Sequence, residues 1–93
     1  MPRKARDVER ALRSKGFQLR KSTHRRFIYF NLEGKKTTVR TEISHGEREI
    51  HDSLLAAMAR QCLLQRDEFY RLIDCPLDQP AYDAMVKERT SRA

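Results

Sequence analysis

The chain has 93 residues, 35% of them charged and 39% apolar, which allows one domain around one core and leaves no room for a second catalytic domain. No apolar run approaches the ~20 residues of a membrane span, and the basic start Met1-Pro2-Arg3-Lys4 has no apolar stretch behind it. A soluble, unexported, cytoplasmic chain is the expectation. Cys62 and Cys75 are too few and too widely spaced for a zinc site or a disulfide framework, and inert or buried thiols are expected.

The net charge of +7 is unevenly spread. Residues 1–40 carry 13 Lys/Arg against 3 acidic residues, whereas residues 41–93 carry 7 against 10. The N-terminal half should therefore face a polyanion. Arginine outnumbers lysine 14 to 6, a balance suited to bidentate, stacking phosphate recognition rather than diffuse attraction.

From Lys4 to Lys15, Ala5, Val8, Ala11 and Leu12 recur at helical spacing with Arg6, Arg10 and Arg13 on the other side, predicting an amphipathic helix. Gly16 is placed as its left-handed cap, and Phe17 as the apolar contact that accompanies one. Phe17 to Lys21 alternates as a short strand, and a turn near Lys21-Ser22-Thr23 leads to a second strand from His24 to Asn31. Asn31-Leu32-Glu33-Gly34 has the signature of a three-residue hairpin loop with a glycine bulge, returning a third antiparallel strand from Lys35 to Ile43.

That loop sets the pairing. Asn31 then pairs with Lys35, Tyr29 opposes Thr37, Phe27 opposes Val39, His24 opposes Glu42 and Arg26 opposes Arg40. Phe27, Tyr29, Val39 and Ile43 would pack under helices, leaving His24, Arg26, Ile28, Phe30, Thr38, Arg40 and Glu42 on the open face. A two-residue loop at Glu33-Gly34 would shift the pairing by one and bring His24 onto a face with His45.

Residues 44–50 read as a polar connector. An apolar stripe of Leu54, Leu55, Met58 and Cys62 predicts a second helix over 52–63, and Phe69, Leu72 and Ile73 a third over 65–73, which Pro76 stops. Asp78 can cap a final helix from Gln79-Pro80 with Tyr82, Met85 and Val86 facing inward, and residues 87–93 are expected to fray.

The chemistry-bearing stretch is Lys21-Ser22-Thr23-His24-Arg25-Arg26. A histidine exchanges protons near neutrality, and flanking cations can hold a phosphate while it does so. The order of features, a basic first helix ending in Gly16-Phe17, His24 heading the second strand, a turn at Gly34, then His45-Gly46, Glu49-Ile50 and an apolar helix, resembles the HicA-type toxins of bacterial toxin–antitoxin modules. The resemblance spans roughly residues 4–73. Where that family carries Gly-Ser-His, this chain has Ser22-Thr23-His24.

The resemblance implies an α+β domain with the α-β-β-β-α fold of double-stranded-RNA-binding domains over residues 1–74, with 75–93 as a C-terminal helical extension. It also implies an endoribonuclease that cleaves mRNA without a metal or other cofactor and is inhibited by an HicB-type antitoxin. His24 would be the catalytic general acid/base, with Glu42 or His45 as the candidate partner. The phosphate contacts expected from the residues themselves come from Lys21, Arg25, Arg26 and Arg40, helped by Arg6, Arg10 and Arg13, and Phe30 is the candidate for stacking on a base. His45, His51 and Asp52 match no common metal spacing. Two other readings compete: a non-catalytic duplex-RNA-binding module of the same fold, and a protein-interaction domain that uses the acidic C-terminal half.

Overall fold

A computed structural model describes residues 3–21, 23–44, 46, 48–74 and 76–91. Met1, Pro2, Ser22, His45 and Cys75, which enter the sequence reading, lie outside the described residues, as does the expected fraying of 92 and 93. The elements in chain order are β1 (Arg3–Lys4), α1 (Ala5–Ser14), β2 (Phe17–Lys21), β3 (Arg25–Phe30), β4 (Lys36–Ile43), β5 (Glu49–Ile50), α2 (Asp52–Gln61), α3 (Arg66–Ile73) and α4 (Gln79–Ser91). The fold is a small α+β domain: a three-stranded antiparallel sheet ordered β2-β3-β4, a two-stranded β1-β5 ladder and four helices. Among the described residues, no helix is long and apolar enough to cross a membrane.

Helix α1 follows its apolar spacing: Ala5, Val8, Ala11 and Leu12 are buried and the arginines face out. Gly16 ends it at φ +100°, and its carbonyl accepts a hydrogen bond from the Phe30 amide at 2.9 Å, so the cap also ties the helix to the sheet. The strand residues expected under the helices, Phe27, Tyr29, Val39 and Ile43, are all buried, and Thr41 joins them.

The hairpin between β3 and β4 begins in the three-residue-loop register, with the Asn31 amide on the Lys35 carbonyl at 2.9 Å and Phe30 opposite Lys36. It then departs from expectation. Beyond Tyr29 the pairs are Ile28 with Arg40, Phe27 with Thr41, Arg26 with Glu42 and Arg25 with Ile43. Neither His24 opposite Glu42 nor Arg26 opposite Arg40 survives this shift. Its cause is Thr37, whose hydroxyl donates to the Tyr29 carbonyl at 2.8 Å and accepts from the Val39 amide at 3.2 Å, replacing ladder bonds over an irregular step. Because the slip is two residues, each strand keeps its inward face. Ile28 was expected on the open face, yet it is buried; its direct neighbours Gln18 and Arg40 have long side chains that shield it.

Three further differences come from bonds between segments distant in sequence. Residues 49–50, read as connector, form a ladder with β1 in which Lys4 opposes Glu49. Helix α2 stops at Gln61 rather than at 63, in a Schellman motif: the Leu64 amide returns to the Ala59 carbonyl at 2.9 Å and Leu63 takes the left-handed position at φ +64°. Residues 87–91 are helical rather than frayed. The Arg89 guanidinium reaches the Leu63 carbonyl at 2.5 Å and holds Glu68 with two parallel bonds of 3.0 and 2.9 Å, and this lowers the carboxyl pKa of Glu68.

Helix α4 contributes to the same core as the sheet. Tyr82 lies 5.9 Å from the Phe17 ring and 4.9 Å from the Tyr29 ring, edge-on to the latter, and its hydroxyl donates to the Cys62 carbonyl at 3.0 Å. Cys62 is fully buried, which pushes its thiol up to about 12. The Tyr29 hydroxyl donates to the buried Asp83 carboxylate at 2.6 Å, and Lys87 pairs with the same carboxylate at 3.2 Å. Lys15 is buried as well; its ammonium donates to the Leu72 and Leu77 carbonyls at 3.1 and 2.5 Å, joining the end of α1 to the end of α3.

Candidate nucleic-acid interface

His24 sits in the bend between β2 and β3, one residue before the strand it was expected to head, and its side chain is exposed. The antiparallel register of β2 and β3 sets two successive like-charge pairs beside this bend: Lys21 opposite Arg25 and Arg20 opposite Arg26. Like charges directly opposite destabilise a sheet. Strand alternation turns Lys21 and Arg25 toward the α1 side and Arg20 and Arg26 toward the open face, so a like-charge pair stands on each side of the sheet next to the bend, and a bound anion would relieve the repulsion within either pair. Arg20 was absent from the sequence-based candidates. The strand alternation and short turn that define its partner were both visible, and pairing across the turn would have exposed it.

Two of these cations are held in place. The Arg26 Nε donates to Glu42 Oε1 at 3.0 Å, both side chains being about four-tenths exposed. Arg25 donates to the Ser44 carbonyl at 3.2 Å and approaches Glu9 Oε1 at 4.0 Å, bridging the start of β3, the end of β4 and helix α1. Its side chain is only 18% exposed, so its charge is partly desolvated and acts at longer effective range than a surface lysine would.

The remaining candidates fall into two groups. Arg6, Arg10 and Arg13 project from the exposed face of α1, and three open clefts run along it. Arg6 is shared by the first and second clefts, which also include Arg25 and Arg10, and Arg13 by the second and third, which ends at Lys21. The three adjoin through Arg6 and Arg13, from the cleft beside β5 to the one beside β2. Arg40 and the half-buried Phe30 belong instead to the open face of the sheet, with Arg26 and Glu42. The sequence reading already put Arg26, Phe30, Arg40 and Glu42 on the open face, and the two-residue slip leaves them there.

Of the two acid/base candidates, Glu42 is engaged by Arg26, and His45 lies outside the described residues. Among the described residues, no three His, Cys, Asp or Glu side chains gather as a metal site would require. Comparison of the chain with protein-family models, with curated proteins and with solved structures finds no match in any of the three.

Proposed function

We propose that this protein is a metal-independent endoribonuclease of the HicA toxin type, with a double-stranded-RNA-binding-like fold, acting on mRNA in the cytoplasm and held in check by an HicB-type antitoxin. The observation that carries the reading is the exposed His24 in a bend bordered by Arg20, Lys21, Arg25 and Arg26, in a chain whose first helix turns Arg6, Arg10 and Arg13 outward. RNA contains its own nucleophile. Its 2′-oxygen attacks the adjacent phosphorus and loses a proton to a base; the bond to the 5′-oxygen breaks, and that oxygen takes up a proton. The products are a 2′,3′-cyclic phosphate and a 5′-hydroxyl. A protein need supply only a proton acceptor and donor, and cations for the charge on the pentacoordinate phosphorus. His24 fills the first role and Lys21, Arg25 and Arg26 the second.

The test is His24→Ala. An exposed bend residue contributes within ~0.5 kcal/mol to stability, so the variant should fold and bind RNA as the wild type does. Cleavage to the cyclic phosphate should fall by ~10²–10⁴-fold, and growth arrest on expression should disappear. Wild-type cleavage by a nuclease-free preparation of the variant would overturn the catalytic assignment.

One observation favours a second reading, a non-catalytic module gripping duplex RNA through phosphate and 2′-hydroxyl contacts. Glu42 is committed to Arg26 rather than aligned with His24, which leaves the imidazole without that acid/base partner. In this case the wild type and His24→Ala would bind RNA equally and neither would cleave it.

A further inference from the structure

Lys4 and Arg48 were not among the candidate site residues read from the sequence, yet the fold gathers them with Arg6 and Arg25 around one cleft. The β1–β5 ladder sets Lys4 opposite Glu49, and the Ala5 amide donates to the Arg48 carbonyl at 2.8 Å, so the start of α1 is stitched to the segment entering β5. Arg25 arrives from β3, its guanidinium steadied by the Ser44 carbonyl and by Glu9. Lys4, Ala5, Arg6, Arg25, Arg48 and Glu49 line an open cleft of about 420 Å³.

The charge balance of that lining is four cations against one carboxylate. Among the described residues, no ion pair engages Lys4, Arg6 or Arg48, and all three are exposed. Arg25 supplies a partly desolvated, positioned guanidinium, while Lys4 and Arg48 supply exposed charges. A positioned guanidinium with further cations around a concave surface is the chemistry that recognises phosphate. The volume falls within the range of small-ligand pockets and exceeds what a lone phosphate fills, so a nucleotide unit fits better than a bare ion.

We infer that this cleft is a phosphate-binding seat that takes the phosphate of a nucleotide unit, with Arg25 as its fixed donor and Lys4, Arg6 and Arg48 closing on it. That the phosphate belongs to RNA rests on the reading given under Proposed function. A free nucleotide presents the same group.

The test uses the full chain, the double variant Lys4→Ala/Arg48→Ala and a control, Arg71→Ala, on the exposed side of α3. Both substitutions in the double variant keep the backbone groups of the ladder and the Ala5–Arg48 bond. Binding of a short fluorescent single-stranded RNA is followed by anisotropy across a salt series, and binding of AMP by calorimetry. The double variant should lose ~10-fold or more in RNA affinity, and its log–log salt slope should flatten by about 0.7 for each cation removed, with the control unchanged. AMP should compete with the RNA and lose affinity in the same variant. If the wild type binds AMP through these residues but not RNA, the seat stands and the RNA reading falls. If His24→Ala cleaves normally while the double variant binds weakly, the catalytic reading falls and the seat stands. A double variant equal to the wild type on both probes, or a wild type that binds neither, overturns the inference.

Discussion

Arg26 faces Glu42 across β3 and β4, with Nε donating to Oε1 at 3.0 Å. The pair is about four-tenths exposed on each side, so its contribution to stability is at most ~1 kcal/mol. On the proposed ribonuclease reading its effect on function is larger, because it neutralises one of the cations that follow His24 in the chain. Glu42→Gln should therefore fold as the wild type does and release Arg26 for phosphate. RNA affinity should rise a few-fold and the salt slope steepen by about 0.7, as one more cation engages the backbone. Cleavage should stay within ~10-fold of wild type, less than the ~10²-fold minimum expected for removing a general acid or base. A loss equal to that of His24→Ala would make Glu42 the proton-transfer partner.

The Tyr29–Asp83 bond predicts an acid limb to the stability curve. Burial alone would raise the Asp83 pKa, but the Tyr29 hydroxyl and Lys87 outweigh it and the pKa is lowered. A carboxylate with a depressed folded pKa contributes stability above its unfolded value of ~3.9, and that contribution is lost as pH falls through the folded value. Glu68, lowered by Arg89, acts in the same direction. The melting temperature should thus hold from neutral pH to about 5 and drop below about 4, with part of that drop absent in Asp83→Asn. At neutral pH, Tyr29→Phe should cost ~1–3 kcal/mol in urea denaturation, since it removes the main hydrogen bond to a carboxylate that stays buried.

The parts of this molecule legible in the sequence are those governed by local periodicity. Ala5, Val8, Ala11 and Leu12 announced the buried face of α1, alternation announced Phe27 and Tyr29, and Asn31 to Gly34 announced the hairpin loop. Register beyond the loop was not legible, because a hydroxyl at Thr37 displaced the ladder by two residues without changing any face. The end of α2 was hidden because Leu63 occupies a left-handed position that glycine usually marks. Nothing local marks Lys15 or Asp83 as interior; each is buried because segments far away in sequence satisfy it. The same limit applied to the site. His24 and the α1 arginines stood out, whereas Lys4 and Arg48 converge only through a two-residue ladder that no periodicity predicts.

Gly16 joins α1, β3 and α4 at one point. At φ +100° an L side chain is strained, and a Cβ there would stand 2.9 Å from the Phe30 carbonyl oxygen and collide with the Gln79 side-chain amide. The Gln79 amide can swing away, but the Phe30 carbonyl belongs to the sheet and cannot. Gly16→Ala should accordingly lower stability by about 1–3 kcal/mol, read as a shift of the urea midpoint at unchanged slope. Gly34→Ala is the comparison. Its φ of +78° is also left-handed, but nothing lies within 4 Å of the added carbon, so only the backbone term should appear and the loss should be smaller.

Helix α4 predicts the outcome of shortening the chain. The ring contacts of Tyr82 with Phe17 and Tyr29, and the burial of Val86, place α4 in the same hydrophobic cluster as the sheet and α1. A chain ending at residue 74 would expose Phe17, Tyr29 and Cys62 to water, each large buried side chain forfeiting ~1.5–3 kcal/mol, and would also strip Lys15 of the Leu77 carbonyl. Summed over these side chains, the loss rivals the ~5–15 kcal/mol total stability of a typical domain. The truncated chain should therefore lose its cooperative thermal transition, and amide exchange should be fast throughout the β2-β3-β4 sheet. Arg89→Ala in the full chain separates docking from core formation. It removes the bidentate Glu68 pair and the bond to the Leu63 carbonyl but no apolar contact, so it should cost ~1–3 kcal/mol and leave one cooperative transition. A truncated chain that melts cooperatively with a protected sheet would show that residues 1–74 form a core of their own, with α4 laid upon it.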